Sequence, residues 1–176
     1  MVNWSHEPEA GPREGSYRIA RTPTTQPFKA AILSEKHVGV HLHYWKGRSV
    51  PCNGGDCEAC YNGQRPRWKG YVLVKSLITP KIVIFEFTER AHHAFADFLE
   101  KHGSLRGGVF QASRTNRRAN GPLDVEFQEA RFDEALLPKP GDLQAVLERM
   151  WEIRQQYLPA ILPGSEDPQA EERRLA

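Results

Sequence analysis

The stretch of sequence that decides the fold is residues 38–74, VGVHLHYWKGRSVPCNGGDCEACYNGQRPRWKGYVLV. It begins with an alternation of apolar and other side chains, VGVHLHYW, and it ends with the apolar run YVLV. Both patterns are typical of β-strands. Between them lies a loop of about residues 46–67 that holds every cysteine of the chain. The stretch therefore predicts two strands joined by a cysteine-rich loop.

The three cysteines, Cys52, Cys57 and Cys60, have the spacing C-x4-C-x2-C. A clustered and odd number of cysteines argues against a disulfide framework. Three thiolates this close together, with Gly54 and Gly55 allowing the backbone to turn, suit a tetrahedral zinc ion. Three free cysteines in an unrelated loop is the alternative. We predict a structural zinc ion as the cofactor.

The fourth zinc ligand is expected to be a histidine on the strand that precedes the loop. His43 lies nearest to Cys52 and ranks first. His41, on the same face of that strand, and the more distant His37 stay open as alternatives. A set of three cysteines and one histidine fills all four positions of the ion, so we expect no open catalytic position.

The chain lacks the sequence motifs of several common catalytic sites. A zinc deaminase needs P-C-x-x-C together with H-x-E, and the sequence contains neither. It also lacks the phosphate-binding G-x-x-x-x-G-K-[ST], the G-x-S-x-G nucleophile motif and the H-E-x-x-H zinc motif. We therefore predict a protein that is not an enzyme.

The composition of the 176-residue chain favours strands and loops over a helical bundle, because it includes 13 prolines and 14 glycines. No run of about 18 apolar residues is present, which argues against a transmembrane helix. The N-terminal residues lack the apolar segment of a secretory signal. A cytoplasmic location is therefore the expectation.

The order of predicted elements gives the fold class. Strands are predicted over residues 28–33, 38–45, 69–77, 81–88, 108–113 and 123–130, with helices over 89–102 and 142–158. If residues 28–45 form one long strand, this is the order of a five-stranded OB-fold barrel, with the zinc loop between strands 1 and 2. Another α+β sheet would have a similar order. The predicted organisation is a flexible arm (1–27), the barrel domain (28–132), a linker with the C-terminal helix (133–162) and a disordered tail (163–176).

Charge is unevenly distributed along the chain. Residues 46–120 carry 13 Lys/Arg and 6 Asp/Glu, whereas residues 121–176 carry 6 and 12. A basic middle section indicates a polyanionic partner. OB-folds bind oligonucleotides with the loops between strands 1 and 2 and between strands 4 and 5, and both loops are cationic here. The predicted nucleic-acid-binding residues are Trp45, Lys46, Arg48, Arg65, Arg67, Trp68, Lys69, Tyr71, Phe110, Arg114, Arg117 and Arg118.

The run HYWKGRSVPCNGGDCEACYNG, followed by RWKGYVLV, resembles the zinc-bearing segment of phage-type single-stranded-DNA-binding proteins, the architecture of the T-even helix-destabilising protein. The ligand spacing is shorter here, so the resemblance is one of architecture. It implies an OB-fold in which His43, Cys52, Cys57 and Cys60 hold zinc beside a DNA groove. It also implies that an acidic C-terminal segment recruits replication or recombination proteins.

These observations together predict a single-stranded DNA-binding protein with little sequence preference, acting in replication, recombination or repair. Two alternatives remain open at this stage. One is an RNA-binding OB module of a ribonucleoprotein complex. The other is a zinc-stabilised adaptor whose cationic loops bind an acidic protein.

Overall fold

The computed structural model describes residues 17–54, 57–119 and 121–156. The strands are β1 (Ile19–Ala20), β2 (Phe28–Ile32), β3 (Val38–Trp45), β4 (Arg48–Pro51), β5 (Arg67–Ser76), β6 (Ile82–Thr88), β7 (Gly108–Arg114) and β8 (Leu123–Arg131). The helices are α1 (Glu58–Tyr61), α2 (Glu89–His102) and α3 (Leu143–Gln156). Every strand and helix predicted from the sequence is present, with its ends within two residues of the prediction where they are described. The last two residues of the helix predicted over 142–158 and the predicted tail (163–176) lie outside the described residues.

The eight strands form one mixed sheet, with the ten-residue β5 near its centre. One edge of β5 pairs with β6, and the other is shared by β3 near residues 67–71 and by β2 near residues 74–76. From β2 the sheet continues through β7 to β8, and β3 also pairs with β4. β1 lies parallel to β6 at the opposite end of the path. All pairings except that of β1 with β6 are antiparallel.

The sheet is open, so the predicted five-stranded barrel is not confirmed. Within the described residues, the path of paired strands ends at β1 on one side and β8 on the other. Two of the three additional strands, β1 and β4, lie in the predicted arm and in the predicted zinc loop. The third arises because residues 28–45 divide into β2 and β3, with a bend between them.

The main hydrophobic core lies between the sheet and α2, and aromatic rings dominate it. The ring of Phe28 stacks on that of Phe85 with centroids 5.0 Å apart, and Phe87 stacks on Phe95 of α2 at 4.1 Å. The helix ends where the sequence predicts, because Gly103 adopts the left-handed conformation (φ 73°) and its amide donates to the Leu99 carbonyl. Rings of this size contribute most of the apolar area that a small core buries.

A second core lies on the other face of β5 and β6 and is covered by α3. Leu143 and Leu147 of α3 are buried there with residues of β3, β5 and β6. The ring of Trp151 contacts that of Tyr71 edge-on, with centroids 6.0 Å apart. Among the described residues, no helix combines the length and the apolar character needed to cross a membrane.

Candidate metal centre and the adjoining basic cleft

The β3–β4 hairpin brings one histidine and one cysteine to the same face of the sheet. Its two-residue turn, Lys46 and Gly47, has positive φ at both positions (48° and 80°), as a type I′ turn requires. The resulting register places His43 opposite Val50, and the Cys52 amide donates to the His41 carbonyl at 2.9 Å. Cys52 therefore continues the ladder opposite His41, on the face that His41 shares with His43.

The other two cysteines are positioned by the short helix α1. Cys57 occupies the position immediately before the helix, and Cys60 lies within its single turn. The Cys57 amide donates to the carbonyl of Gly54, whose φ of 80° favours glycine. This turn brings the sulfur atoms of Cys57 and Cys60 close to the ligand atoms of His43 and Cys52.

Four potential ligand atoms converge at this point. One ligand atom from each of His43, Cys52, Cys57 and Cys60 lies within 4.8 Å of all the others. The Sγ atoms of Cys52 and Cys60 are 3.5 Å apart, and the Cys60 Sγ is 3.3 Å from the Nε2 of His43. Ligands about 2.1–2.3 Å from a tetrahedral ion are separated by about 3.5–3.8 Å, so these side chains are close enough to hold a metal ion.

The histidine in this cluster is His43, which is only 1% exposed. His41 is exposed and does not join the four ligand atoms. His37 contacts a different histidine, His92, with 3.2 Å between their Nε2 atoms. The structure therefore brings together the first-ranked histidine and all three cysteines.

The pKa values of Cys57 and Cys60 are shifted in opposite directions, because the surroundings of the two thiols differ. The backbone amide of Cys60, at the start of α1, contributes most to lowering the pKa of Cys57. The hydrogen bond between Cys60 and Cys52 contributes most to raising the pKa of Cys60 to about 11, and burial is the next largest cause. Three thiolates packed together without a cation would repel one another, and a divalent ion would remove that repulsion.

Beside the cluster lies a cleft of about 1120 Å³. His43 contributes to both the cluster and the cleft wall, and the residues after β7 line the opposite side. Six cationic side chains line the cleft, together with one carboxylate, that of Glu86. The six are Arg21, Arg65, Arg67, Lys69, Arg90 and Arg114.

The carboxylate of Glu86 is buried in this cleft and has three partners. Arg21 and Lys69 form ion pairs with its Oε1 at 3.2 and 3.4 Å, and the Tyr71 hydroxyl donates to its Oε2 at 3.1 Å. A buried carboxylate needs such partners to offset its desolvation. Glu86 therefore fixes the positions of two cations and leaves the cleft with a net positive charge.

Four of the twelve predicted nucleic-acid-binding residues line this cleft: Arg65, Arg67, Lys69 and Arg114. Trp45 and Lys46 instead contact Glu58 of α1 at 3.3 and 2.8 Å. These contacts connect the β3–β4 hairpin to the helix that carries Cys60. The remaining cationic members of the predicted set lie outside the cleft lining: Arg48 on β4, and the exposed Arg117 and Arg118 in the β7–β8 connection.

Three of the predicted stacking rings are placed differently from the expectation: two are buried and one is half-buried. Phe110 is fully buried, and Tyr71 is 1% exposed beneath α3, so neither ring face is accessible to a base. Trp68 is half-buried and packs on the main core beside Phe87. Strand alternation is the reason, because Trp68 lies on the face of β5 opposite to its cleft-lining neighbours Arg67 and Lys69.

The cleft lining also includes an aromatic ring and two cations that are not in the predicted set: Tyr44, Arg21 and Arg90. The ring of Tyr44 is 70% exposed and lines the cleft. An apolar-alternating pattern predicts burial at this position, but the strand is partly uncovered there. Arg21 and Arg90 lie outside the cysteine loop and the β7–β8 connection, and only the tertiary fold brings them to the cleft.

Comparison with family models, with curated proteins and with solved structures found no match to this chain. Its function is therefore inferred from the metal cluster and the cleft themselves.

Proposed function

We propose that this protein binds single-stranded nucleic acid, with DNA as the favoured ligand, and that it does so without catalysis. The observation that carries the proposal is the cleft beside the metal cluster, which six cationic side chains and the exposed Tyr44 line. Cationic grooves with accessible aromatic rings suit a strand whose phosphates and bases are both exposed. Such binding has little sequence preference, because every base offers a ring face.

An open OB-fold is the architecture that we propose for the sheet. The bent pair β2 and β3 would be the first strand, followed by β5, β6, β7 and β8, with α2 between the third and fourth strands. Two features support this assignment: β2 pairs with β7, and the cleft lies between the metal-bearing segment and the β7–β8 connection. These are the two connections with which OB-folds bind oligonucleotides.

Zinc is the ion that we propose for the cluster. Three thiolates and one imidazole form a closed tetrahedral set that is typical of structural zinc sites. His43 belongs to the cluster and also lines the cleft. An ion held in the cluster would therefore fix the part of the cleft wall that includes Tyr44 and Arg67. Binding energy would then not be spent on ordering the loop after the ligand arrives.

The test is a fluorescence-anisotropy titration of a labelled 20-mer of dT at 50 and 200 mM salt, with duplex DNA as the control ligand. We expect binding that prefers the single strand and weakens at the higher salt. Each phosphate contact contributes about 0.7 to the slope of log K against log salt for a single strand. Arg67→Gln should reduce that slope, whereas Lys75→Gln, at an exposed position of β5 outside the cleft, should not.

The same assay separates the alternatives. A matched RNA that competes more strongly than DNA would assign the cleft to an RNA-binding module. Absence of binding to either strand at both salt concentrations would refute the nucleic-acid proposal and favour a protein adaptor. Equal effects of Arg67→Gln and Lys75→Gln would show that the charge of the whole protein, rather than the cleft, attracts the ligand.

A further inference from the structure

Two histidines outside the cysteine cluster form a second group of potential metal ligands. His37 lies in the bend before β3, and His92 lies in α2. Their Nε2 atoms are 3.2 Å apart, with ring centroids at 4.8 Å and an interplanar angle of 78°. The chain thus brings residues 55 positions apart into contact through two different elements.

The separation of the two nitrogens matches the spacing of ligands on one metal ion. Two imidazole nitrogens at about 2.0–2.1 Å from an ion, with an angle of about 90–110° between them, lie about 2.8–3.4 Å apart. The 3.2 Å distance falls within that interval. Both side chains are half-buried, so packing holds their rings while part of each residue stays accessible to solvent.

The surroundings hold both rings in place and favour the neutral form of His37. The Trp68 ring lies 5.1 Å from that of His92 and 6.3 Å from that of His37, and the Phe87 ring lies 6.0 Å from that of His37. Burial, and then the proximity of His92, lowers the pKa of His37, so the neutral form that ligates metals predominates near pH 7. This pair lies on the face of β5 opposite to the basic cleft, because Trp68 and Lys69 alternate.

We propose that His37 and His92 form a second metal site, which binds a divalent transition-metal ion through the two Nε2 atoms while water fills the remaining positions. Imidazole nitrogen suits nickel, copper and zinc, whereas magnesium and calcium require oxygen ligands. The open positions distinguish this site from the closed cysteine cluster. The inference is independent of nucleic-acid binding.

Nickel titration of the zinc-loaded protein tests the proposal, with tryptophan fluorescence as the signal. Trp68 is adjacent to His92, so bound nickel should quench its emission, and cobalt should bind more weakly than nickel. Magnesium should leave the emission unchanged. Isothermal titration calorimetry should give one nickel ion per chain at this site.

Two variants and a matched control identify the ligands. His92→Gln and His37→Gln should each raise the dissociation constant for nickel at least about tenfold, since even the loss of an outer-shell partner costs 10–100-fold. His93→Gln, at the adjacent and exposed position of α2, should bind nickel normally. Trp68→Phe should abolish the quenching but retain the calorimetric binding. Near-ultraviolet circular dichroism of each variant verifies that the core is intact.

Three results would overturn the proposal: no nickel binding at millimolar concentration, binding that survives both the His37 and His92 substitutions, or binding that His93→Gln removes. The first would identify the pair as an ordinary hydrogen bond between two imidazoles. The second and third would place the ion on other side chains.

Discussion

The guanidinium of Arg106, a buried cation, donates to the carbonyl of Leu33, just after β2, across 2.7 Å. The same side chain also donates to the carbonyls of Glu134, Leu137 and Pro138 at 2.9–3.2 Å. Arg106 is 8% exposed. One arginine thereby binds four backbone carbonyls from two separate segments of the chain.

Arg106→Met should destabilise the protein by about 2–4 kcal/mol, because it removes these buried hydrogen bonds and releases the segment that leads into α3. Urea denaturation measures the change in the free energy of unfolding. Arg118→Met is the matched control, since Arg118 is exposed, and it should change stability by less than about 0.5 kcal/mol. Equal effects of the two substitutions would show that the buried hydrogen bonds contribute little.

The histidine of the metal cluster can be identified by paired substitutions. His43→Ala should weaken zinc binding at least about tenfold, measured by competition with a chromophoric chelator, because it removes one of four ligand atoms. His41→Ala should retain the affinity of the wild type, since His41 is exposed outside the cluster. The reverse result would assign the fourth position to His41.

Base stacking in the cleft should depend on Tyr44. Tyr44→Ala is expected to weaken binding to the dT 20-mer by about 1–3 kcal/mol, the loss typical of one stacked base. Tyr61→Ala provides the control, because that ring is 92% exposed but does not line the cleft. A larger loss with Tyr61→Ala would move the binding surface to α1.

Gly39 and Gly70 face each other across the β3–β5 ladder, and the ring of Trp68 lies against both. A Cβ atom at Gly39 would lie 2.5 Å from the Trp68 ring. Gly39→Ala should therefore destabilise the protein by about 1–3 kcal/mol in thermal or urea unfolding. Gly141→Ala, where a Cβ meets no atom within 4 Å, should be neutral or slightly stabilising; equal losses would mean that Trp68 moves freely aside.

The free energy of unfolding should decrease as the pH is lowered, and His37 should account for part of that decrease. Burial and His92 lower the pKa of His37 below 6.5, so the unfolded chain takes up this proton more readily than the folded protein does. The contribution to stability is complete above pH 6.5 and is lost as the pH falls from there through the folded-state pKa.

The comparison between pH 7.5 and 5.5 should show a smaller loss in His37→Gln than in the wild type. Both proteins keep the cysteine cluster, so its acid sensitivity cancels in the difference. His93→Gln, at an exposed position, should follow the wild type. An unchanged pH dependence in His37→Gln would contradict the assignment.

The sequence predicted those features of the fold that depend on local patterns. Neighbouring residues are enough to indicate the strand at VGVHLHYW, the strand at KIVIFEFT and the helix end at Gly103. The spacing of the cysteines identified the cluster. Predictions of which strand side chains line the cleft were less accurate, because they depend on the geometry of the sheet. Trp68 and Lys69 are adjacent in sequence, but the pleat sends them to opposite faces, and only one can line the cleft.

Contacts between distant segments account for the rest. Arg21 reaches the cleft because β1 pairs with β6, a two-residue parallel contact that no periodicity indicates. The same strand occupies the edge of β6, and the sheet is open there instead of closing with β8. Arg106 likewise looks like a surface residue in sequence, and its burial follows from the path of the segment before α3.

The tight turn at Lys46 and Gly47 limits how this protein can vary in evolution. It fixes which residues of β3 and β4 are opposite, and His43 and Cys52 share a face only while that parity is kept. Inserting one residue into either strand would reverse the facing of one ligand relative to the other. Homologues that retain the cluster should therefore differ in hairpin length by pairs of residues, one on each strand. The lengths of this hairpin among homologues would then indicate which of them can hold a metal ion.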